Sequence, residues 1–192
     1  MAHAHSAPCS LYGGYDRGPR SRFRFSRRQA WLVVTNLESR QKVITIVSGG
    51  QTGADRAALD WAIQNGHPHA GHCPAGRRAE DGRIPAKYKL SETDSPSYSC
   101  RTRMNVEFAD ATLILSDHPE ITGGTLLTLE HARKTEKPHL LVTPANLSQA
   151  PLLLRQFIEH HKVQVLNVAG PRSSSSPTIY KITFDLLQNT FE

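Results

Sequence analysis

The sequence predicts an α/β domain built on a doubly wound, mainly parallel sheet of about five strands, with helices on both faces. Two observations lead to this class. From residue 43 onward, short apolar runs alternate with stretches whose apolar residues recur at helical spacing. The chain also has 192 residues, 38% of them hydrophobic, which suits one domain with a sizeable core. Strands that alternate with helices pair in parallel through right-handed crossovers, so we expect a doubly wound sheet.

The first predicted elements are a strand, a helix and a weaker strand. "VITIVSG", beginning at residue 43, is a buried strand because β-branched residues dominate it. "GADRAALDWAIQNG" is a helix with Ala58, Trp61 and Ala62 on one face, and it stops at Gly66. A weaker strand at residues 69–72 leads into "CPAGRRAEDGRIPAKYKLSET", a long loop interrupted by glycine and proline.

The second half continues the alternation. "YSCRTRMNVEFAD" predicts a helix and "ATLILSD" a second buried strand. "TGGTLLTLEHARKTEKP" predicts a helix with Leu126, Leu129 and Ala132 on one side, ended by Pro138. "HLLVT", "APLLLRQFIEHHK", "VQVLNVAG" and "SPTIYKITFDLLQNTF" then predict a strand, a helix, a strand and a last helix. We therefore expect a single ligand-binding domain over residues 43–192.

Basic residues are concentrated in the first 42 positions. The formal charge of +6 belongs to this arm, because residues 43–192 contain 15 positive and 15 negative side chains. The arm is rich in Arg, Ser, Gly and Pro and has little periodicity, so we expect it to be disordered. Nucleic-acid binding through the arm is the alternative, and such binding would weaken steeply with salt. A solvated tail is the favoured interpretation.

Several classes of protein are not indicated. No apolar stretch approaches the roughly 20 residues of a membrane-spanning helix, and the N-terminus lacks the apolar middle region of a secretory signal. The three cysteines, Cys9, Cys73 and Cys100, are too widely spaced to suggest a disulfide framework or a four-cysteine zinc site. The histidines of "HPHAGHC" fit no common zinc pattern, so no metal site is expected. A cytoplasmic protein is the simplest expectation.

Three predicted strands end in corners rich in glycine and hydroxyl side chains. The carboxyl ends of parallel strands lie on one edge of a sheet, so these corners can converge on one crevice. Glycine lets a ligand approach the backbone closely, and a following helix N-terminus presents free N–H groups with partial positive charge. The sequence therefore predicts a site for a phosphate or another oxyanion. The corner residues are Ser48, Gly49, Gly50, Gln51, Thr52 and Gly53; Gly123, Gly124 and Thr125; and Gly170, Arg172 and Ser173.

The spacing of the first corner argues against two common nucleotide sites. It lacks the lysine of G-x-x-x-x-G-K-[ST] and the glycine spacing of G-x-G-x-x-G, so ATP hydrolysis and dinucleotide binding are not indicated. Arg101, Thr102 and Asn105 form either a ligand-contacting helix face or an exposed polar one. Glu130 is either a functional carboxylate or an ordinary surface residue.

The long loop adds one further candidate. Arg77 lies in it, within a run of mixed charge that continues to residue 85. Long ordered loops often cover ligands, and a solvated loop is the alternative. We therefore include Arg77 among the candidate ligand-binding residues.

Five of these motifs together resemble a known family. "SGGQTGADRAALDWA", "CPAGRRAEDGRIPAKY", "RTRMNVEFADATLILS", "TGGTLLTLEHA" and "LNVAGPRSSSSPTIY" are similar to the molybdenum carrier proteins, a circularly permuted, YpsA-like branch of the SLOG superfamily of Rossmann-like domains. The resemblance runs from about residue 43 to the C-terminus. It implies a binding protein for molybdenum cofactor (molybdopterin) or for a nucleotide-like phosphate ester. It also implies a homo-oligomer, with molybdoenzymes as partners.

A more distant resemblance implies an enzymatic alternative. The "lonely guy" phosphoribohydrolases carry P-G-G-x-G-T-x-x-E, with which "GGTLLTLE" shares Gly123, Gly124 and Glu130. If the protein were an enzyme of this kind, it would cleave the N-glycosidic bond of a nucleoside monophosphate, with Arg101 and Glu130 as catalytic residues. Leu126, Leu127 and Thr102 depart from that pattern, and a nucleotide-sensing domain without turnover is a related possibility.

Overall fold

Five short parallel strands form the central sheet of the computed structural model, which describes residues 43–192. The disorder predicted for the basic arm, residues 1–42, concerns residues outside this range. The strands of this sheet are β1 (Thr45–Val47), β2 (His69–Ala70), β7 (Ala111–Leu115), β8 (His139–Val142) and β9 (Val165–Ala169). Four further strands form two separate pairs: β3 (His72–Cys73) with β6 (Ser91–Glu92), and β4 (Arg78–Ala79) with β5 (Gly82–Arg83). The helices are α1 (Ala54–Gln64), α2 (Tyr98–Phe108), α3 (Gly123–Lys134), α4 (Ala150–His160) and α5 (Ile179–Phe191), with a 3₁₀ turn at Leu147–Gln149 before α4.

The order of the strands shows how the chain is permuted. Across the sheet the order is β2-β1-β9-β7-β8, with every neighbouring pair parallel. The common doubly wound sheet has the order 3-2-1-4-5-6. The last strand of this chain, β9, therefore occupies the place of the first strand, and β1 occupies the place of the second. The switch point, from which the strands run outward in both directions, lies between β9 and β7.

Helices cover both faces of the sheet, as the sequence predicts. One face packs against α1, α4 and α5, and its core includes Trp61, Leu113, Leu154, Leu166 and Leu187, all almost fully buried. On the other face α3 packs on β7 and β8, and α2 packs on α3 and β3. Among the described helices, none has both the length and the apolar character needed to cross a bilayer.

The predicted faces of the helices are largely confirmed. Ala58, Trp61 and Ala62 are buried on α1. On α3, Leu129 and Ala132 are buried while Leu126 is only half-buried. The single weak strand predicted at residues 69–72 is instead two strands, separated at Gly71.

Gly71 divides these strands for a steric reason. Its φ of 138° is unfavourable for other residues, and a Cβ there would lie 2.1 Å from the Ser48 carbonyl oxygen. The backbone turns at this point, so β2 remains in the main sheet while β3 leaves it to pair with β6.

The long loop after β3 is ordered. It contains the antiparallel hairpin β4–β5 and ends at β6. A second apolar cluster anchors it beneath α1 and consists of Leu59, Cys73, Ile84, Tyr88 and Leu90. The Arg77 guanidinium holds the loop from within, because it donates hydrogen bonds to four main-chain carbonyls, those of Ile84, Pro85, Tyr88 and Leu90.

Candidate ligand-binding site at the sheet switch point

A cavity of about 350 Å³ opens at the carboxyl edge of the sheet. It lies at the switch point, because the segments after β7 and β9 and the N-termini of α2 and α3 form most of its wall. Its volume is within the range of small-molecule sites. The lining residues are Gln51, Tyr98, Ser99, Arg101, Thr102, Ser116, His118, Glu120, Thr122, Gly123, Gly124, Thr125, Leu127, Gly170, Pro171, Arg172 and Ser175.

The first turn of α3 forms one wall of this cavity. Gly123 has a φ of 57°, which favours glycine, and no atom of the described residues lies within 4 Å of the position that a Cβ on Gly123 or Gly124 would take. Thr122 precedes the helix in an extended conformation. The backbone of this turn is therefore open to a ligand.

The first turn of α2 forms a second wall. Tyr98, Ser99, Arg101 and Thr102 all line the cavity. Among the described residues, no side chain caps α2 or α3 with a hydrogen bond, and neither helix has an acidic residue in its first turn. The N–H groups and partial positive charges of two helix N-termini are thus directed toward one cavity, which favours an anion.

Arg101 adds a full positive charge to the cavity. Its Nη1 atom lies 3.1 Å from Oδ2 of Asp55, and the two side chains are only 13% and 4% exposed. The guanidinium also lies directly over Gly49, since a Cβ at Gly49 would be 2.0 Å from Nη1. Gly49 therefore gives Arg101 its space. The Nε atom of Arg101 is buried and has no hydrogen-bond partner among the described residues.

Asp55, at the start of α1, fixes the position of Arg101. Burial raises the pKa of Asp55, while the Arg101 charge and hydrogen bonds from residues of the first corner oppose that rise. One of these bonds comes from the Gln51 N–H at 3.3 Å. The sequence analysis did not select Asp55, because an acidic residue in a first helical turn is common and nothing in the sequence indicates that a distant arginine reaches it.

Two carboxylates of this chain bind the segment after β9, which contains the third corner. Oε1 of Glu80 accepts hydrogen bonds from the Thr52 hydroxyl and from the Ser174 N–H, the latter at 3.1 Å. Oε2 accepts from the Ser174 hydroxyl at 2.5 Å and lies 3.4 Å from Nε of Arg172. Partial burial raises the pKa of Glu80, but the hydrogen bonds from Ser174 and Thr52 outweigh it and hold the pKa below its usual range.

A second carboxylate, that of Asp117, serves the same corner. Its Oδ2 atom accepts from the Ser176 hydroxyl and, at 2.8 Å, from the Thr178 hydroxyl. Burial raises the pKa of Asp117, but these two hydrogen bonds lower it by more, so the pKa lies below its usual value. The sequence alone indicates neither Glu80 nor Asp117, since their partners lie between 28 and 94 residues away along the chain.

Eight of the predicted ligand-binding residues line the cavity. They come from four separate segments of the chain, which the fold brings together. They are Gln51, Arg101, Thr102, Gly123, Gly124, Thr125, Gly170 and Arg172.

The remaining predicted ligand-binding residues have other contacts. The Ser48 hydroxyl donates to the Val168 carbonyl at 2.8 Å, and Thr52 binds Glu80. The Asn105 side chain bridges the main-chain N–H and carbonyl of His72 at 2.7 and 3.1 Å, which ties α2 to β3. Arg77 binds carbonyls of its own loop, as described above.

Gly53 and Ser173 bring the main chains of the first and third corners together, whereas Gly50 packs against the side chains of Ile84 and Leu90. Gly50 and Gly53 have φ values of 75° and 78°. A Cβ at Gly53 would lie 2.4 Å from the Pro171 carbonyl oxygen and 2.9 Å from the Ser173 nitrogen. Gly53 and Ser173 therefore join the first and third corners, and Ser173 N also donates to the Thr52 hydroxyl at 3.1 Å.

Glu130 lies on the exposed side of α3 and is not among the described residues that line the cavity. The histidines of "HPHAGHC" have separate contacts as well. His67 is buried beside Trp61 and Phe191, the His69 ring accepts the Lys89 N–H, and the His72 ring lies near Asn105. Within residues 43–192, no group of three or more His, Cys, Asp or Glu side chains is placed to hold a metal ion.

Comparison with known proteins shows the family and the fold of this chain. The model of the circularly permutated YpsA SLOG family matches residues 46–191. A solved structure from Syntrophus aciditrophicus SB, named "Putative molybdenum carrier protein", is 42% identical to this chain and superposes with a TM-score of 0.77. The match covers 81% of this chain and 99% of that protein. No curated protein matches the chain significantly.

Proposed function

The chain belongs to the circularly permuted YpsA SLOG family, and from this premise we propose that it binds a small phosphate-bearing ligand in the switch-point cavity. Molybdenum cofactor is the first candidate, because the similar solved structure is named as a molybdenum carrier. A nucleotide is the second. The observation that carries the proposal is the convergence of two uncapped helix N-termini and the Arg101 side chain on one cavity.

The phosphate end of the ligand would bind at the first turn of α3. Gly123 and Gly124 leave that backbone open, and Thr125 adds a hydroxyl at the cavity wall. A phosphate there would receive main-chain N–H groups and the helix dipole. Arg101, held by Asp55, would add its guanidinium charge at the cavity wall.

The ring end of the ligand would pack against the apolar part of the wall. Tyr98 is 38% exposed, and both it and Leu127 line the cavity. A planar pterin or base can stack on a tyrosine ring while the phosphate remains at the helix termini. The site therefore suits a ligand with one flat heterocycle and one phosphate ester.

The residues of the cavity suit an organic cofactor better than a bare metal ion. In the described part of the chain, the cavity offers donors for an anion, and no cluster of metal-ligating side chains accompanies them. A molybdenum atom would be held by the sulfur atoms of the pterin itself. The chain would then supply binding of the phosphate and protection of the ring.

The hydrolase alternative is not favoured. It requires Glu130 near the ribose of a bound nucleotide, and the structure leaves Glu130 on the surface of α3. The proposal is therefore a binding protein, without turnover. A cytoplasmic location, a homo-oligomeric state and transfer of the cofactor to molybdoenzymes belong to the same proposal. Light scattering and co-purification with a molybdoenzyme would test the last two.

The first experiment is to purify the protein from a host that makes molybdenum cofactor. Native mass spectrometry and elemental analysis for molybdenum and phosphorus are then performed on one sample. We expect a pterin with molybdenum and phosphorus in equal amounts. A co-purified nucleotide would instead make the nucleotide the ligand. The proposal would be overturned if isothermal titration also showed no binding of the cofactor, molybdate, tungstate or any nucleotide.

A further inference from the structure

Three residues surround the Glu80 carboxylate, one from the first corner and two from the segment after β9. We call them the anion cradle: Thr52, Arg172 and Ser174. Together they direct two hydroxyls, one main-chain N–H and one guanidinium at the two oxygens of Glu80. Hydroxyl, amide and guanidinium donors around one anion are the usual composition of a phosphate site. The chain itself supplies the anion here.

The anion cradle adjoins the cavity. Arg172 and Gln51 both line the cavity, and both contact the Glu80 residue. The Oε1 atom of Gln51 accepts the Glu80 N–H at 2.9 Å and the Thr52 N–H at 3.0 Å. A ligand in the cavity would therefore meet the anion cradle on the side of Gln51 and Arg172.

Glu80 sits on the β4–β5 hairpin, which is attached mainly through polar contacts. Asp81 pairs with Arg56 at 2.9 and 3.0 Å, and Arg56 also donates to the Gly50 carbonyl at 3.1 Å. The hairpin tip residues Asp81, Gly82 and Arg83 are exposed, and no atom of residues 43–192 lies within 4 Å of a Cβ built at Gly82. An anion that displaces the Glu80 carboxylate must therefore replace these polar contacts, while the tip itself meets no steric barrier to movement.

We propose that the anion cradle is a second anion subsite, which Glu80 fills in the free protein and which accepts the second phosphate of a diphosphate-bearing ligand. This inference rests on the proposed function, since the first phosphate would lie at α3. A ligand with one phosphate leaves Glu80 in place. A diphosphate displaces the Glu80 carboxylate and releases the hairpin.

The test compares inorganic orthophosphate with inorganic pyrophosphate by isothermal titration. The variants are Glu80→Gln, which removes the competing charge, and Asp81→Asn, a matched control that weakens the hairpin attachment but keeps Glu80. Hydrogen bonds to charged groups contribute enough that we expect Glu80→Gln to strengthen pyrophosphate binding by about tenfold or more. Orthophosphate binding should change by less than about threefold, and Asp81→Asn should have a much smaller effect on both.

Trypsin cleavage of the wild-type chain gives a second measurement that is independent of the variants. Arg78 and Arg83 flank the hairpin turn and are exposed. Pyrophosphate should accelerate cleavage at these two residues, and orthophosphate should not. Slower or unchanged cleavage with pyrophosphate would contradict displacement of the hairpin.

The outcomes separate this inference from the proposed function. Suppose that orthophosphate and pyrophosphate both bind. The second subsite is then refuted if Glu80→Gln leaves the ratio of the two affinities unchanged, or if Asp81→Asn changes that ratio as much as Glu80→Gln does. The phosphate-binding function stands in either case. If neither anion nor any candidate ligand binds wild type or variants, both proposals are refuted. A selective gain for pyrophosphate in Glu80→Gln, with faster cleavage in wild type, supports the subsite.

Discussion

At the scale of single residues, the contact between Gly49 and Arg101 has the clearest consequence. A Cβ at Gly49 would lie 2.0, 2.4 and 2.8 Å from three guanidinium atoms, so Gly49→Ala must displace Arg101 from the cavity wall. We expect the free energy of unfolding to fall by about 1–3 kcal/mol, because the displaced guanidinium loses part of its buried ion pair with Asp55. Phosphate affinity should fall with it. Thermal unfolding and isothermal titration measure the two effects.

Gly124→Ala is the matched control for the stability effect of Gly49→Ala. No atom of residues 43–192 lies within 4 Å of a Cβ at Gly124, and the residue is already helical. Its stability should be unchanged or higher by about 0.5–1 kcal/mol, because alanine favours a helix. Equal stability and equal affinity of Gly49→Ala and wild type would show that Arg101 does not need its observed position.

The buried pair Arg101–Asp55 predicts a thermodynamic cycle. Arg101→Gln leaves the Asp55 charge unpaired in a buried place, so stability should fall by about 3–5 kcal/mol. The double variant Asp55→Asn/Arg101→Gln should recover much of that loss but not the ligand affinity. Arg103→Gln, on the exposed side of the same helix, should change neither quantity by more than a few tenths of a kcal/mol. Urea unfolding and titration give the values.

The same cycle has a pH dependence with a definite sign. Burial raises the pKa of Asp55 above its usual value of 3.8, and removing Arg101 raises it further. As the pH falls, Asp55 is then protonated at a higher pH in the folded state than in the unfolded state. The deficit of Arg101→Gln relative to the double variant should therefore shrink as the pH falls toward 3.8. A deficit that is constant with pH would mean that Asp55 is not the source of the cost.

The residue scale also shows what local sequence can predict. Arg101, Gly123 and Gly124 were selected because glycine corners and helix starts have local chemical signatures. Asp55 and Glu80 were not selected, because an acidic residue has no local signature of its partner. Glu80 and Ser174 are 94 positions apart, so only the fold shows that the donors of one corner already bind a carboxylate.

At the scale of elements, the β4–β5 hairpin should detach in acid. Hydrogen bonds from Ser174, Thr52 and Arg56 hold the pKa values of Glu80 and Asp81 below their usual 4.5 and 3.8, against the raising effect of burial. Such groups stabilise the folded state above their unfolded-state pKa values, and the stabilisation is lost as the pH falls through the folded-state values. Hydrogen exchange should show protection of residues 78–83 at pH 6 and its progressive loss as the pH falls below the unfolded-state values of 4.5 and 3.8. Protection that persists while the sheet stays folded would contradict this attachment.

The hairpin was also the main element that sequence patterns could not indicate. "RRAEDGRI" has no alternation of polar and apolar residues, and each strand has only two residues. Four of the five helices and the strands β1, β7, β8 and β9 were predicted because each has an apolar run or face that its own sequence displays. Helix α2 has no such face, and two of its three buried residues are polar. The single strand predicted at residues 69–72 was wrong because the bend at Gly71 depends on the Ser48 carbonyl, more than 20 positions away.

At the scale of the whole molecule, the order of strands was beyond local reasoning. Alternating strands and helices predict a parallel sheet, but the same alternation is compatible with several strand orders. The structure places β9, the last strand, beside β1 and β7 at the centre of the sheet. The site depends on this order, because Gly170 and Arg172 follow β9 and reach the cavity only from that central place.

The strand order predicts that joining the two ends of residues 43–192 and opening the chain before β9 would give the common order of strands without loss of the site. The end of α5 and the start of β1 are close, since His67 contacts both the Phe191 ring and the Ile44 carbonyl. A short Gly/Ser linker from residue 192 to residue 43, with a new start between the exposed residues His161 and Lys162, would make β9 the first strand. Circular dichroism, urea unfolding and ligand titration compare this rearranged chain with a control, residues 43–192 in their natural order. We expect the same secondary structure and an affinity within about threefold, with stability lower by about 1–2 kcal/mol from the opened turn. If the rearranged chain did not unfold cooperatively while the control did, the chain connectivity, and not only the packed sheet, would be needed to specify this fold.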